Sequence, residues 1–216
     1  YLSLTVEPSL RNFDPEKSYY FYLGNEAADA DSIISSLTWA SISQHVRNPS
    51  SNSVHIPLIS VPREEYQLRP ETKLLLDQQA INILSIPSLY DIPSNPSLHQ
   101  NLLDNTSKIN FVLLDHNLLS EKFHTVFPNN HPINIIQILD HHQDYGNYLE
   151  QCQGDKRVIA FDAESKAALV ASTCTIIEEK LQDVLRSENA LLQEKLLQEV
   201  QHLLLGVILI DSLNMR

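Results

Sequence analysis

An apolar run that ends in a carboxylate and two imidazoles constrains this chain more than any other feature. Residues 133–139, broken only by Asn134 and Gln137, lead directly into Asp140-His141-His142. Val, Ile and Leu runs bounded by polar loops read as buried strands, and parallel strands deliver functional groups at their C-terminal edge. The arrangement recurs. Residues 111–114 run into Asp115-His116-Asn117, residues 19–23 into Gly24-Asn25 and then Asp29-Ala30-Asp31-Ser32, and residues 203–210 into Asp211. Singly, each acid could cap a helix or close a turn. Four acids that each close an apolar run point to carboxylates gathered at one rim.

The rest of the chain alternates strand and helix patterns. Residues 1–18, polar and carrying Pro8 and Pro15, form a leading arm. The aromatic stretch 19–23 is β-prone, and Gly24 permits a sharp turn after it. Asp31 or Ser32 caps a helix over 32–46 with Ile33, Ile34, Leu37 and Ala40 on one face. A Ser/Asn/Pro loop at 48–53 precedes a strand at 54–61, which Pro62 ends. A helix over 71–83 places Leu74, Leu75, Gln78 and Ile81 at helical spacing. Residues 86–107, rich in Pro, Ser and Asn, show no clear pattern. Strands follow at 109–114 and 133–139, with the 129–132 loop between them, and a short edge strand at 158–161. Residues 167–185, apolar nearly all round in their first half, predict a buried helix. A second helix over 189–205 sets Leu192, Leu196, Val200 and Leu203 on one side. The alternation predicts an α/β fold: a doubly wound, mainly parallel sheet with helices on both faces.

At 216 residues the chain can bury a sizeable core. No apolar run approaches eighteen residues, so no membrane span is expected. A net charge of −12 argues against a nucleic-acid surface. The same acidity suits a site for divalent cations, which can recruit an anionic substrate. Cys152 and Cys174 lack metal or disulfide spacing and read as free thiols of a reducing compartment, so a cytoplasmic protein is expected. Trp39 and the tyrosines 19, 20 and 22 read as core or strand-face residues. Cys174 reads as a small packing residue. His45, His55, His99, His124, His131 and His202, without acid partners at useful spacing, read as surface.

Mg²⁺ and Mn²⁺ prefer carboxylate oxygen, and imidazole shifts the preference toward Mn²⁺. Two such ions about 3.5–4 Å apart can clamp a phosphoryl group and generate hydroxide at neutral pH. One acid must then bridge them, and Asp115, on the middle strand, is the expected bridge.

In order, GNEAADADS at 24–32, LLDHN at 113–117, LDHH at 139–142 and LLGVILIDSLN at 204–214 resemble the motifs of the DHH phosphoesterase superfamily. IPLISVPREEYQLRPET at 56–72 and STCT at 172–175 resemble its exopolyphosphatase and prune branch. Asn25, where other relatives place a His ligand, resembles the fungal cytosolic exopolyphosphatases. The resemblance implies that Asp29 binds one metal ion with Asn25 beside it. It further implies that Asp31, His141 and Asp211 bind a second, and that Asp115 bridges. It places His142 on a substrate phosphate, His116 and Asn117 along the same pocket, and Asp140 behind them to orient its neighbours. Relatives follow this domain with a DHH-associated C-terminal domain that grips the substrate. Residues 1–216 are therefore expected to be the DHH catalytic domain without that second domain. Arg63, Arg69 and Lys73 are the basic residues expected near the rim. Ser172 and Thr173 would donate to a phosphate if their helix begins at the cleft.

The implied activity is metal-dependent hydrolysis of a phosphoanhydride by an exopolyphosphatase that uses two Mn²⁺ or Mg²⁺ ions. It would release terminal phosphate from inorganic polyphosphate without a covalent intermediate. The alternatives are a prune-like hydrolase of short-chain polyphosphate or cyclic nucleotide, and a non-catalytic metal-binding DHH module that serves a partner.

Overall fold

The computed structural model describes residues 1–46, 52–186 and 194–213. Helical turns at Leu2–Val6 and α1 (Glu7–Arg11) open the chain. There follow β1 (Ser18–Leu23), α2 (Ala30–Val46), β2 (Ser53–Leu58), α3 (Pro70–Gln78), α4 (Asp91–Ser94) and α5 (Pro96–Asp104). Then come β3 (Ile109–Leu114), α6 (Phe123–Val126), β4 (Ile135–Asp140), β5 (Arg157–Ile159), β6 (Phe161–Asp162), β7 (Ala167–Ala168), α7 (Thr173–Arg186) and α8 (Glu194–Asp211).

The first five strands form one parallel sheet in the order β2-β1-β3-β4-β5. A parallel sheet must be covered on both faces, and this one is. Tyr22, Val112, Leu114 and Leu139 face α2, α7 and α8. Phe21, Ile56, Phe111, Leu113 and Ile138 face α5 and α6, where Phe111 meets Phe123 and Phe127 with ring centroids 5.2 and 5.3 Å away. The β3–β4 register slips by one residue between Phe111 and Val112, which lets Ile135 and Ile138 share a face despite their odd spacing. The doubly wound α/β expectation holds, with β5 at an edge.

Several boundaries differ from expectation, each for a local reason. α2 starts two residues early because Asp29 is its cap: Asp29 Oδ1 accepts the Ser32 amide at 3.0 Å. α3 stops at Gln78, not 83. Ala80 turns left-handed (φ 55°) and Ile81 N–H returns to the Leu76 carbonyl. The buried positions of α3 are Thr72 and Leu76, while Leu74 lies 60% exposed. Residues 86–107 hold two helices, the second begun by an Asn95 cap and Pro96. Part of the leading arm is helical, and Val6 is buried in the core. β2 ends at Leu58, and Ile59 makes only an isolated bridge to Ser88. The helix predicted from 167 begins at Thr173, because Ala167–Ala168 pairs instead with β6. α8 reaches Asp211. Residues 48–51 of the expected loop and 189–193 of the expected helix lie outside the described residues. His55 is fully buried, with its Nδ1 2.8 Å from the Tyr22 hydroxyl, so it is a core residue.

Candidate active site

From β1 the chain winds to β2 on one side and to β3 on the other, so strand order reverses between β1 and β3. In such sheets the crevice at the carboxyl end of that switch point is the binding site. Asp115 and Asp140 stand there, Asp31 lies 3.6 Å from His141, and the exposed Asp29 and Asp211 lie near enough for charge to couple them to Asp115 and Asp31. Gly24 admits the close approach of α2: a Cβ at that position would stand 2.7 Å from the Ser32 carbonyl oxygen.

Asp115 occupies the centre, 2% exposed, in a left-handed conformation (φ 64°) that a non-glycine residue rarely takes. Its backbone N–H is tied to the Leu139 carbonyl at 2.9 Å. Its two carboxylate oxygens face different partners. Oδ2 accepts from the Asn25 amide and the Ser32 hydroxyl, both at 2.8 Å. Oδ1 lies 3.2 Å from His141 Nε2, 3.3 Å from the Thr173 hydroxyl and 3.5 Å from His142 Nδ1. Burial, against the His141 hydrogen bond and assisted by the charges of Asp31 and Asp29, pushes its carboxyl up to about 7.

Asp31 reaches across to the start of α7 rather than capping its own helix. Oδ2 accepts the Thr173 amide at 2.7 Å, and Oδ1 accepts the Ser172 hydroxyl and the Cys174 amide at 2.6 and 3.0 Å. The positive end of α7 thus faces an acid contributed by α2. α7 does begin at the cleft, but the Ser172 and Thr173 hydroxyls point at carboxylates. Asp211, at the exposed end of α8, has its carboxyl raised to about 6, first by burial and then by the charges of Asp31 and Asp29. Asp29 remains exposed as the α2 cap.

His141 Nδ1 lies 3.1 Å from the Val170 carbonyl, which assigns the proton to Nδ1 and turns Nε2 toward Asp115 and Asp31 (3.6 Å). Burial lowers the affinity of this ring for a second proton, but its bonds to Asp115 and Val170 and the charge of Asp31 outweigh that and raise it to about 9. His142 is raised by its hydrogen bond to Asp140 Oδ1, 2.8 Å from Nδ1. Asp140 is fully buried, and Oδ1 also accepts the His141 and His142 amides at 2.8 and 3.1 Å. Burial opposes its ionisation, yet the bonds from the His142 ring, Asn117 and the His142 amide hold it below the usual carboxylate range.

Asp115, His141 and His142 each offer one ligand atom, and these atoms lie within 4.8 Å of one another. Carboxylate with imidazole is a donor set for divalent ions of the Mn²⁺ kind. Beside them opens a cavity of about 360 Å³ lined by Asn25, Asp115, His116, His142 and Lys122, among others. His116 is anchored by Nδ1 to the Leu114 carbonyl at 2.9 Å, and burial lowers its pKa. Asn117 also lines the cavity, but its carboxamide is committed: Nδ2 to Asp140 Oδ2 (2.6 Å) and the Gln143 carbonyl, Oδ1 to the Tyr145 amide. The Asn25 oxygen likewise faces the Ala27 and Ala28 amides at 2.9 and 3.3 Å, so its NH₂ end meets Asp115.

The expected rim cations all have partners. Arg63 is bidentate on Asp91, Lys73 pairs with Asp77, and Arg69 donates to the Ala27 and Ala28 carbonyls. Lys122, absent from the sequence reading, lines the cavity with Glu26 3.9 Å away. It follows the second motif by five residues on an otherwise ordinary polar loop, and no sequence signal marks it. Ser32 could have been suspected from its place beside Asp31, but its bond to Asp115 joins residues 83 apart.

Among the described residues no helix is long and apolar enough to cross a membrane. The chain matches the family model described as "DHH family, N-terminal domain" over residues 20–207. It is also 32% identical over 202 residues to a protein of Schizosaccharomyces pombe named "Putative exopolyphosphatase". The match covers 92% of this chain and 46% of that protein, so the chain spans about half the length of the curated relative it matches.

Proposed function

The chain belongs to the DHH family, and from that premise we propose that it is the catalytic domain of a metal-dependent exopolyphosphatase. Its substrate would be inorganic polyphosphate, shortened from the end by one phosphate at a time. The observation that carries this reading is the cluster of Asp115, His141 and His142 at the switch point of the sheet, opening into a cavity.

Asp31, Asp211 and His141 would hold one divalent ion and Asp29 another, with Asp115 between them. The two oxygens of Asp115, turned to separate sets of partners, suit a shared ligand. When bound, two Mn²⁺ or Mg²⁺ ions would supply charge neutralisation and a nucleophile available at neutral pH. The Val170 carbonyl keeps His141 Nε2 toward the carboxylates, as outer partners of ligating imidazoles do. With Nδ1 engaged by Asp140, His142 has Nε2 left to donate to a phosphate oxygen of the substrate. His116 would line the same path. Asn25 would steady Asp115, and to reach an ion its oxygen would have to leave the Ala27 and Ala28 amides. Asn117 would act by bracing Asp140. The Ser32 and Ser172 hydroxyls are given to carboxylates, so the reading needs no serine nucleophile and no covalent intermediate. Two buried free cysteines accord with the cytosol as its compartment.

The test is phosphate release by the purified protein with Mn²⁺ or Mg²⁺, comparing long polyphosphate, pyrophosphate and a cyclic nucleotide. Long polyphosphate should be the best substrate, and Asp115→Ala should lose activity by about 100-fold or more, the scale of removing one preorganised electrostatic group. Full activity in that variant would end the shared-ligand role. Preference for a cyclic nucleotide would replace the substrate assignment.

A further inference from the structure

The loop that carries Asn25 and leads into Asp29 is held from two sides. On its amide side, Asn25 Oδ1 accepts the Ala27 and Ala28 N–H groups. On its carbonyl side, Arg69 donates Nε to the Ala28 carbonyl and Nη2 to the Ala27 carbonyl, each at 2.6 Å. Ala28 is left-handed at φ 48°, a conformation costly for a residue with a Cβ, and that Cβ is buried. Such a conformation persists only where its surroundings over-determine it. Arg69 is itself fixed. It caps α3 just before Pro70, its carbonyl accepts the Lys73 amide at 2.9 Å, and its own amide returns to the carbonyl of buried Tyr66.

We infer that Arg69 is a positioning residue: its guanidinium clamps residues 27–28 in their strained turn and so sets Asn25, Asp29 and Ser32 around Asp115. The inference rests on the metal-dependent reading above but adds a role for a cation that touches neither ion nor substrate. The chain of contact is continuous. Arg69 holds the turn, Asn25 closes it, the Asn25 amide and Ser32 hydroxyl reach Asp115 Oδ2, and Asp29 begins α2 one residue after Ala28. A guanidinium is suited to this because its planar fork spans two neighbouring carbonyls, which a single ammonium cannot do.

The experiment measures Mn²⁺ binding by calorimetry for wild type, Arg69→Ala and Arg69→Lys, together with melting temperature and the kinetics of phosphate release. Arg69→Ala should weaken Mn²⁺ binding about 10–100-fold, the range seen when outer partners of metal ligands are removed. Its activity should return at high Mn²⁺ with KM for polyphosphate unchanged, and Arg69→Lys should fall between the two. A raised KM with wild-type Mn²⁺ affinity would make Arg69 a substrate contact and overturn the proposal. A lowered melting temperature with wild-type Mn²⁺ affinity, measured well below the transition, would make it merely structural and overturn it too. Should Arg69→Ala fail to fold, Arg69→Lys decides: wild-type Mn²⁺ affinity in that variant refutes the clamp. A wild-type protein that binds no Mn²⁺ overturns the metal reading itself and this inference with it.

Discussion

Changing Asp140 to Asn removes one charge and almost no volume, yet the structure predicts a large effect. Oδ1 of Asp140 accepts three donors, the His141 amide, the His142 amide and His142 Nδ1, while Oδ2 accepts Asn117 Nδ2 at 2.6 Å. An Asn at this place must keep its oxygen toward the three donors, so its NH₂ meets the NH₂ of Asn117. Asn117 cannot rotate out of the conflict, because its Nδ2 also serves the Gln143 carbonyl and its Oδ1 the Tyr145 amide. Two buried donors face each other whichever amide turns. One unsatisfied buried donor costs about 1–3 kcal/mol, and the three remaining bonds weaken from charge-assisted to neutral. Together these give a destabilisation of about 2–4 kcal/mol, or a melting temperature lower by about 5–15 °C for a chain of this size. The pH dependence has a definite sign. Asp140 is held below the usual carboxylate range, so its contribution is present above the ordinary value near 3.8 and fades as pH falls through its lower folded value. The deficit of Asp140→Asn should therefore be full at pH 7 and shrink in acid. His142, raised by Asp140, should titrate at lower pH in the variant, which proton NMR of the ring reads directly. Melting within 1 °C of wild type together with an unmoved His142 titration would refute the reasoning.

Two further outcomes follow from the same geometry. Asp115 and Asp211, raised to about 7 and about 6, bind protons in the folded metal-free protein that the unfolded chain has released. Metal-free stability should consequently fall as pH rises from about 4 to 7, and the melting-temperature gain from added Mn²⁺ should grow over that interval, since the ion displaces those protons; a gain that shrinks with rising pH would contradict this. Lys122→Ala should raise KM for polyphosphate about 2–5-fold at low salt with kcat unchanged, the worth of one exposed charge contact of up to about 1 kcal/mol, and the difference should vanish at high salt. An unchanged KM at low salt would remove Lys122 from the substrate path.

The sheet and the rim acids were legible in the sequence for a single reason. A parallel strand buried on both faces reads as a nearly continuous apolar run, and the residue that ends it lies at the carboxyl edge, so Leu114-Asp115 and Leu139-Asp140 disclose both strand and site. What each acid touches was not legible, because those partners come from distant parts of the chain. Asp29 and Asp31 look alike in sequence, yet one caps α2 and the other accepts the amides that open α7. Counting nearby acids misplaced His55, whose partner is the Tyr22 hydroxyl of the neighbouring strand. The apolar residues 167–171 suggested helix, but Leu169 stands 67% exposed beside a short hairpin that no local periodicity announces.

The acids of the rim are each answered by donors from the protein itself: Asp31 by two amides and a hydroxyl, Asp115 by Asn25 and Ser32, Asp140 by the backbone that follows it. A zinc finger, by contrast, has no folded form until its ion arrives. If the chain holds an ion as proposed, these bonds predict a tertiary structure that forms without it, checked by a cooperative melting transition in the presence of a chelator. Withdrawal of the proposed ion would then leave the fold in place, and its return would restore the same molecules rather than require new ones.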